Sequence, residues 1–223
     1  MHIPDGILPP LVWGGAYAVT AATTALALRK INQRDDPRAE VPKAALLTAA
    51  FFIASSIYVP IPGLTSAHLL LAGTMGIMLG WYAFPSIVIG LILQAVVFGH
   101  GGITTIGANA LILGVPALAM GGLFSMVRQR QQGNLALVFG FLAGMIGVVM
   151  AALIFYGLII GTIPADINVV AETRATTLLV VAHAPVAIVE GLFTAFLVNY
   201  FRKTRPEMIN FESRRYSAAM PTD

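Results

Sequence analysis

The stretch SAHLLLAGTMGIMLGWYAFPSIVIGLILQAVVFG, residues 66–99, is one nearly unbroken apolar run of 34 residues. As a single helix it would be about 51 Å long, well beyond a hydrocarbon core of ~30 Å. The segment GWYAFP, residues 80–85, offers a place to turn, and a break there yields two short spans, 66–81 and 84–99. Apolar length sets the remaining helices at 10–29, 43–59, 106–126, 134–160 and 175–201. The expected fold is all-α and polytopic: seven transmembrane helices, an outside N-terminus and a cytoplasmic C-terminus.

Charge tests the break independently. With seven spans, the inside segments hold Arg29, Lys30, Arg34, Arg38, Lys43, Arg128, Arg130, Arg202, Lys203, Arg205, Arg214 and Arg215, leaving only Arg174 of the 13 basic residues outside. Keeping 66–99 as one span would move Arg128, Arg130 and the basic tail to the opposite face, against the sorting of Lys and Arg to the cytoplasm.

Composition agrees with a membrane protein. Hydrophobic residues are 57%, charged residues 10%, and the mean hydropathy is +0.83. The net charge of +3 lies between spans, so topology rather than nucleic-acid binding explains it. With no Cys and four His, any metal must be held by nitrogen or oxygen. No basic residue precedes the apolar stretch beginning at Ile7, so an uncleaved N-terminus is expected. We divide the chain into a transmembrane domain, 1–202, whose residues 1–9 form an inserted loop, and a cytoplasmic tail, 203–223.

The topology carries all four histidines toward the outer face. His2 lies in the N-terminal MHIPDG, His68 ends the loop VPIPGLTSAH, His100 lies in FGHGGITTIGAN, and His183 falls in the outer half of the last span. A free terminus gives His2 particular chemistry. The α-amine of Met1, the ionised amide nitrogen of His2 and its Nδ1 can close a five-membered and then a six-membered chelate ring on one ion. Three nitrogens then share a plane with one corner open, which suits Ni(II) and Cu(II) and is compatible with Co(II). His68 is the expected fourth ligand, delivered at a helix start with Ser66 as N-cap. His100 is the alternative ligand or a supporting donor. Pro4, Asp5 and Gly6 favour a turn that folds the tail back. Glu190, seven residues after His183 and on the same helix face, is expected to pair with Asn109, Gln94 or a backbone group, or to line a substrate path; Ser66, His100, Asn109 and His183 are, with it, the candidates for supporting the ligands or lining that path.

The blocks MHIPDG, TSAHLLLAG, LQAVVFGHGGITTIGAN and HAPVAIVEG resemble the signatures of the CbiM/NikM family, the substrate-binding components of energy-coupling-factor transporters for cobalt and nickel, from Met1 to about Gly191. The resemblance implies a metal held by Met1, His2 and His68. It also implies a multi-pass protein of the prokaryotic cell (inner) membrane, a transmembrane coupling protein, two cytoplasmic ATPases and, in some systems, a small accessory membrane subunit as partners. TSAHLLLAG looks more like nickel-type members than the cysteine-bearing block of cobalt-type ones, so Ni2+ is the expected cargo ahead of Co2+, with no other cofactor. No Walker A loop occurs in the chain, so a non-catalytic subunit borrowing energy from its partners is expected. The alternatives are an intramembrane metalloenzyme, for which the H-E-x-x-H and G-x-S-x-G patterns are missing, and a stand-alone secondary carrier, for which no internal repeat is found.

Overall fold

The computed structural model describes residues 2–57, 59–61, 65–127, 134–163 and 168–209. Met1, Pro62 and Gly63 of the second loop, Arg128, Arg130 and the tail from 210 onward lie outside the described residues. The chain is helical apart from one small ribbon. In order come α1 (Pro10–Asn32), α2 (Val41–Ala54), the antiparallel strands β1 (Val59–Ile61) and β2 (Thr65–Ala67), α3 (Ala72–Leu79), a 3-10 turn (Gly80–Tyr82), α4 (Ala83–Phe98), α5 (Ile106–Val127), α6 (Asn134–Ile160), α7 (Val169–Ala182) and α8 (Ala184–Thr204).

Five helical segments among the described residues are long and apolar enough to cross a membrane: Pro10–Asn32, Ala72–Phe98, Ile106–Met126, Asn134–Ile160 and Val169–Thr204. The expected seven are not reached by length, since Val41–Ala54 is a shorter apolar helix and Ala72–Phe98 counts once. That segment nevertheless doubles back. Gly80 has φ 54° and ψ −122°, a conformation open to glycine and strained for other residues. The rings of His68 and His100, which flank the segment, have centroids 5.6 Å apart, whereas a straight helix of that length would separate them by ~40 Å. At the other extreme, the Tyr82 hydroxyl donates to Pro37 O at 2.5 Å and the Arg34 guanidinium lies 5.3 Å from the Tyr82 ring centroid. Lys43 donates to Met208 O at 3.3 Å. One end of the bundle therefore gathers basic residues and the other gathers histidines.

Three boundaries differ from expectation by five residues or more: the last span begins at Val169 rather than 175 and is interrupted at His183, and the other two flank the ribbon. α2 stops at Ala54 rather than residue 59, and the chain then enters β1 at Val59. The third helix starts at Ala72 rather than 66. Ser66 is not its N-cap: it lies in β2, opposite Pro60, and Leu71, with φ 53°, precedes the first helical residue. The amides exposed there are met from across the bundle by Glu190, whose carboxylate accepts from Leu70 N–H and, at 2.9 Å, from Leu71 N–H.

α3 is the axis of the bundle, with all eight residues buried. A side chain at Gly73 would strike the backbone of Ala143 and one at Gly76 the backbone of Ala117, so α5 and α6 approach α3 at backbone distance. Of the two small-residue ladders in the sequence, Ala143–Gly147–Ala151 serves this contact, since Gly147 faces Gly73. Gly14–Ala18–Ala22 lies on α1, with Ala18 and Ala22 exposed. Gly76→Val should cost about 1–3 kcal/mol or prevent assembly, while Gly14→Ala, where nothing lies within 4 Å, should be neutral or slightly stabilising. Thermal unfolding in detergent measures both, and equal melting temperatures would refute the backbone contact.

Candidate metal centre

The N-terminal tail is seated by polar bonds to α5 and the loop before it. Ile3, fully buried, receives a two-point clamp: its N–H donates to Asn109 Oδ1 at 2.8 Å, and its carbonyl accepts from Asn109 Nδ2 at 3.1 Å and from the Thr105 hydroxyl at 2.5 Å. Gly6, at φ +84°, helps the chain turn, as the Pro-Asp-Gly sequence suggested. Asp5 accepts from Ile103 N–H at 3.1 Å, Thr104 N–H at 2.8 Å and the Thr104 hydroxyl at 2.5 Å. Those donors, led by the Thr104 hydroxyl, hold the Asp5 carboxyl below the usual carboxylate range.

The loop FGHGG is shaped to receive this tail. Gly99 ends α4 in the left-handed region, with its N–H and that of His100 both directed to Gln94 O. Gly101 is also left-handed, at φ +74°, and a side chain on Gly102 would collide with Asp5. Three imidazoles converge as a result. Nδ1 of His2 lies 3.1 Å from Nε2 of His68 and 2.9 Å from Nε2 of His100. One ligand atom from each of the three lies within 4.8 Å of the others.

A single proton on His2 Nδ1 can satisfy one of those two contacts, whereas one cation can satisfy both. Adjacent nitrogens bound to one ion at ~2.0–2.1 Å stand ~2.8–3.4 Å apart at square or tetrahedral angles, which matches the observed pair. Burial lowers the pKa of all three rings, those of His2 and His68 well below the ordinary value and that of His100 to about 4. They are neutral at physiological pH, the state in which imidazole binds metal. His68 Nδ1 lies 3.1 Å from Leu69 O, an arrangement that places the N–H on Nδ1 and leaves Nε2 as a lone pair toward the cluster.

The other singled-out residues take different places. His183 is buried beside Leu179, outside the three-ring cluster. Glu190 pairs with backbone amides, not with Asn109 or Gln94; Gln94 donates to Ser55 Oγ at 2.5 Å. Asn109 serves the tail. The side chain of Ser66 and all of Met1 lie outside the described residues. Sequence reasoning missed Asp5 and Thr104–Thr105 as the tail's anchor, for which the only local sign was a carboxylate in a turn opposite a hydroxyl-rich loop. A cleft of about 410 Å³ opens beside His2 and Ile3 and is walled by Ile159 of α6 and by Glu172, Thr176 and Leu179 of α7.

Comparison with known proteins places the chain among metal transport proteins by sequence and fold. Residues 2–208 match the family CbiM, described as the cobalt uptake substrate-specific transmembrane region. The chain is 35% identical over 216 residues to a putative metal transport protein of Haemophilus influenzae, covering 94% of this chain and 97% of that one. It is 31% identical to the fused nickel transport protein NikMN of Rhodobacter capsulatus, covering 94% of this chain and 64% of the fusion. It is likewise 31% identical to the cobalt transport protein CbiM of Clostridium tetani, covering 91% and 85%. A crystal structure of a transition metal transporter superposes with a TM-score of 0.74 at 26% identity, covering 96% of this chain and 99% of that one. With its apolar helices, its converging histidines and a match along nearly its whole length, the chain belongs to the CbiM family.

Proposed function

We propose that the chain is the substrate-binding membrane subunit of an ATP-driven energy-coupling-factor importer, and that it captures Ni2+, or Co2+, at the outer face. The observation that carries this reading is the convergence of His68 and His100 on Nδ1 of His2, on a tail that Asn109 holds in place. The ligand plane comprises the Met1 amine, the His2 amide nitrogen, His2 Nδ1 and His68 Nε2, with His100 over the plane. His68 takes the fourth corner because its tautomer is set by Leu69 O and it is only 4% exposed.

The reversal at Gly80 and the gathering of basic residues at the end opposite the histidines support seven membrane passes, with the N-terminus outside. A transmembrane coupling protein and two cytoplasmic ATPases supply the energy. A metal held by several nitrogens leaves slowly on its own, since tight binding is mostly slow dissociation. Its partners must therefore deform the site. The nickel-like TSAHLLLAG block favours Ni2+ as cargo.

Placing one residue before Met1 should abolish high-affinity binding without loss of folded protein, because the free amine no longer closes the first chelate ring. Metal stoichiometry of the native and extended chains, with mass spectrometry of the N-terminus, is the measurement; equal affinity would exclude terminal chelation. His68→Ala should alter the coordination spectrum of bound Ni2+ strongly, and His100→Ala should cost about 10–100-fold in affinity with a smaller spectral change. The reverse order would reassign the fourth corner. Asn109→Ala removes two bonds of ~0.5–1.5 kcal/mol each, so affinity should fall by about 5–150-fold while the spectrum is kept. Unchanged affinity would mean that the tail is held without it.

A further inference from the structure

His183 lies outside the cluster, at the junction of α7 and α8, and is 1% exposed. Its Nδ1 lies 2.8 Å from Leu179 O, positioned to donate to it, and its Nε2 is buried with no hydrogen-bond partner among the described residues. An imidazole whose one N–H is given to a backbone carbonyl presents the other nitrogen's lone pair, which is how proteins offer histidine to a metal. His68 is held the same way by Leu69 O. A lone pair left unused in an interior is unfavourable and calls for an occupant.

Its position says which occupant. Glu172, Thr176, Leu179, His183, Ala187, Glu190 and Thr194 recur at three- and four-residue steps, so they share one helix face. The backbone of His183 stays right-handed, so the face continues from α7 into α8. Its outer part, Glu172, Thr176 and Leu179, lines the cleft with His2. Its inner part meets α3: Glu190 holds the amides of Leu70 and Leu71, just beyond His68, and Thr194 Oγ1 lies 2.7 Å from Thr74 Oγ1. His183 stands between these two parts, about 10 Å of helix before Glu190.

We propose that His183 Nε2 is a transit ligand, taking the metal ion as it leaves the His2–His68–His100 cluster and passing it inward along the α3–α8 interface. The inference rests on the capture reading above. Ligand exchange moves no electrons: Nε2 donates its lone pair as a cluster nitrogen withdraws, so the dication is never bare in an apolar interior. A single imidazole binds more weakly than the cluster, and the ion can therefore move on.

The test uses the full chain in its native host and the same chain purified. His183→Ala should leave Ni2+ stoichiometry and coordination spectrum as in the unsubstituted chain, and should lower radioactive nickel uptake by at least about 10-fold. In a His68→Ala chain carrying labelled histidine, added Zn2+, a diamagnetic ion, should move the Nε2 signal of His183 to the range of a metal-bound nitrogen, a response that a purely structural histidine would not give. The proposal is overturned if uptake stays within about twofold, if the spectrum changes with His183→Ala, or if the Nε2 signal of His183 does not respond to Zn2+. Failure of the capture reading shows separately, as the absence of a multi-nitrogen spectrum in the unsubstituted chain.

Discussion

Extended backbone inside an apolar bundle has no water to bond with, and every N–H and C=O there must find a partner in the protein. For the tail, that constraint is met at Ile3 by the side-chain amide of Asn109, which donates to the carbonyl and accepts from the N–H. The pairing imitates one rung of a β-ladder. It fixes both the depth and the rotation of the chain one residue after His2, and so decides where the His2 ring points. Asp5 adds a second fixed point on the loop after His100, so that loop carries one of the rings and also part of the tail's support.

A second constraint acts at α3. This helix is short, fully buried and starts after a left-handed leucine, so its first amides face the interior. A carboxylate from α8 meets two of them, and an acceptor at a helix N-terminus is also favoured by the helix dipole. The same segment carries His68 two residues earlier. His68 and the buried carboxyl group of Glu190 are thereby linked through a few bonds of backbone.

Much of the architecture was legible because the bilayer dictates it: helix length follows hydrocarbon thickness, and the run 66–99 had to fold on itself. The histidines were legible as a group because alternate loops fall at one end. The start of α3 was not, since Ser66 followed by an apolar run reads locally as a cap, whereas the groups that decide the matter are a β-ribbon and Glu190, 120 positions away. The equal approach of His100 and His68 to His2 was likewise hidden, because it depends on left-handed glycines steering the loop. Asn109 was legible as a candidate for supporting the site but not as the tail's clamp, because its partner is the backbone of Ile3, which has no sequence identity.

The separation between tail and receptor has a temporal consequence. Ile3 and Asn109 are 106 positions apart, so during synthesis the tail waits for that length of chain to be made before its seat exists. The tail is thus seated by partners made well after it. A truncated or stalled product that ends before α5 lacks the clamp altogether, and the seating of the tail thus reports that α5 has been made.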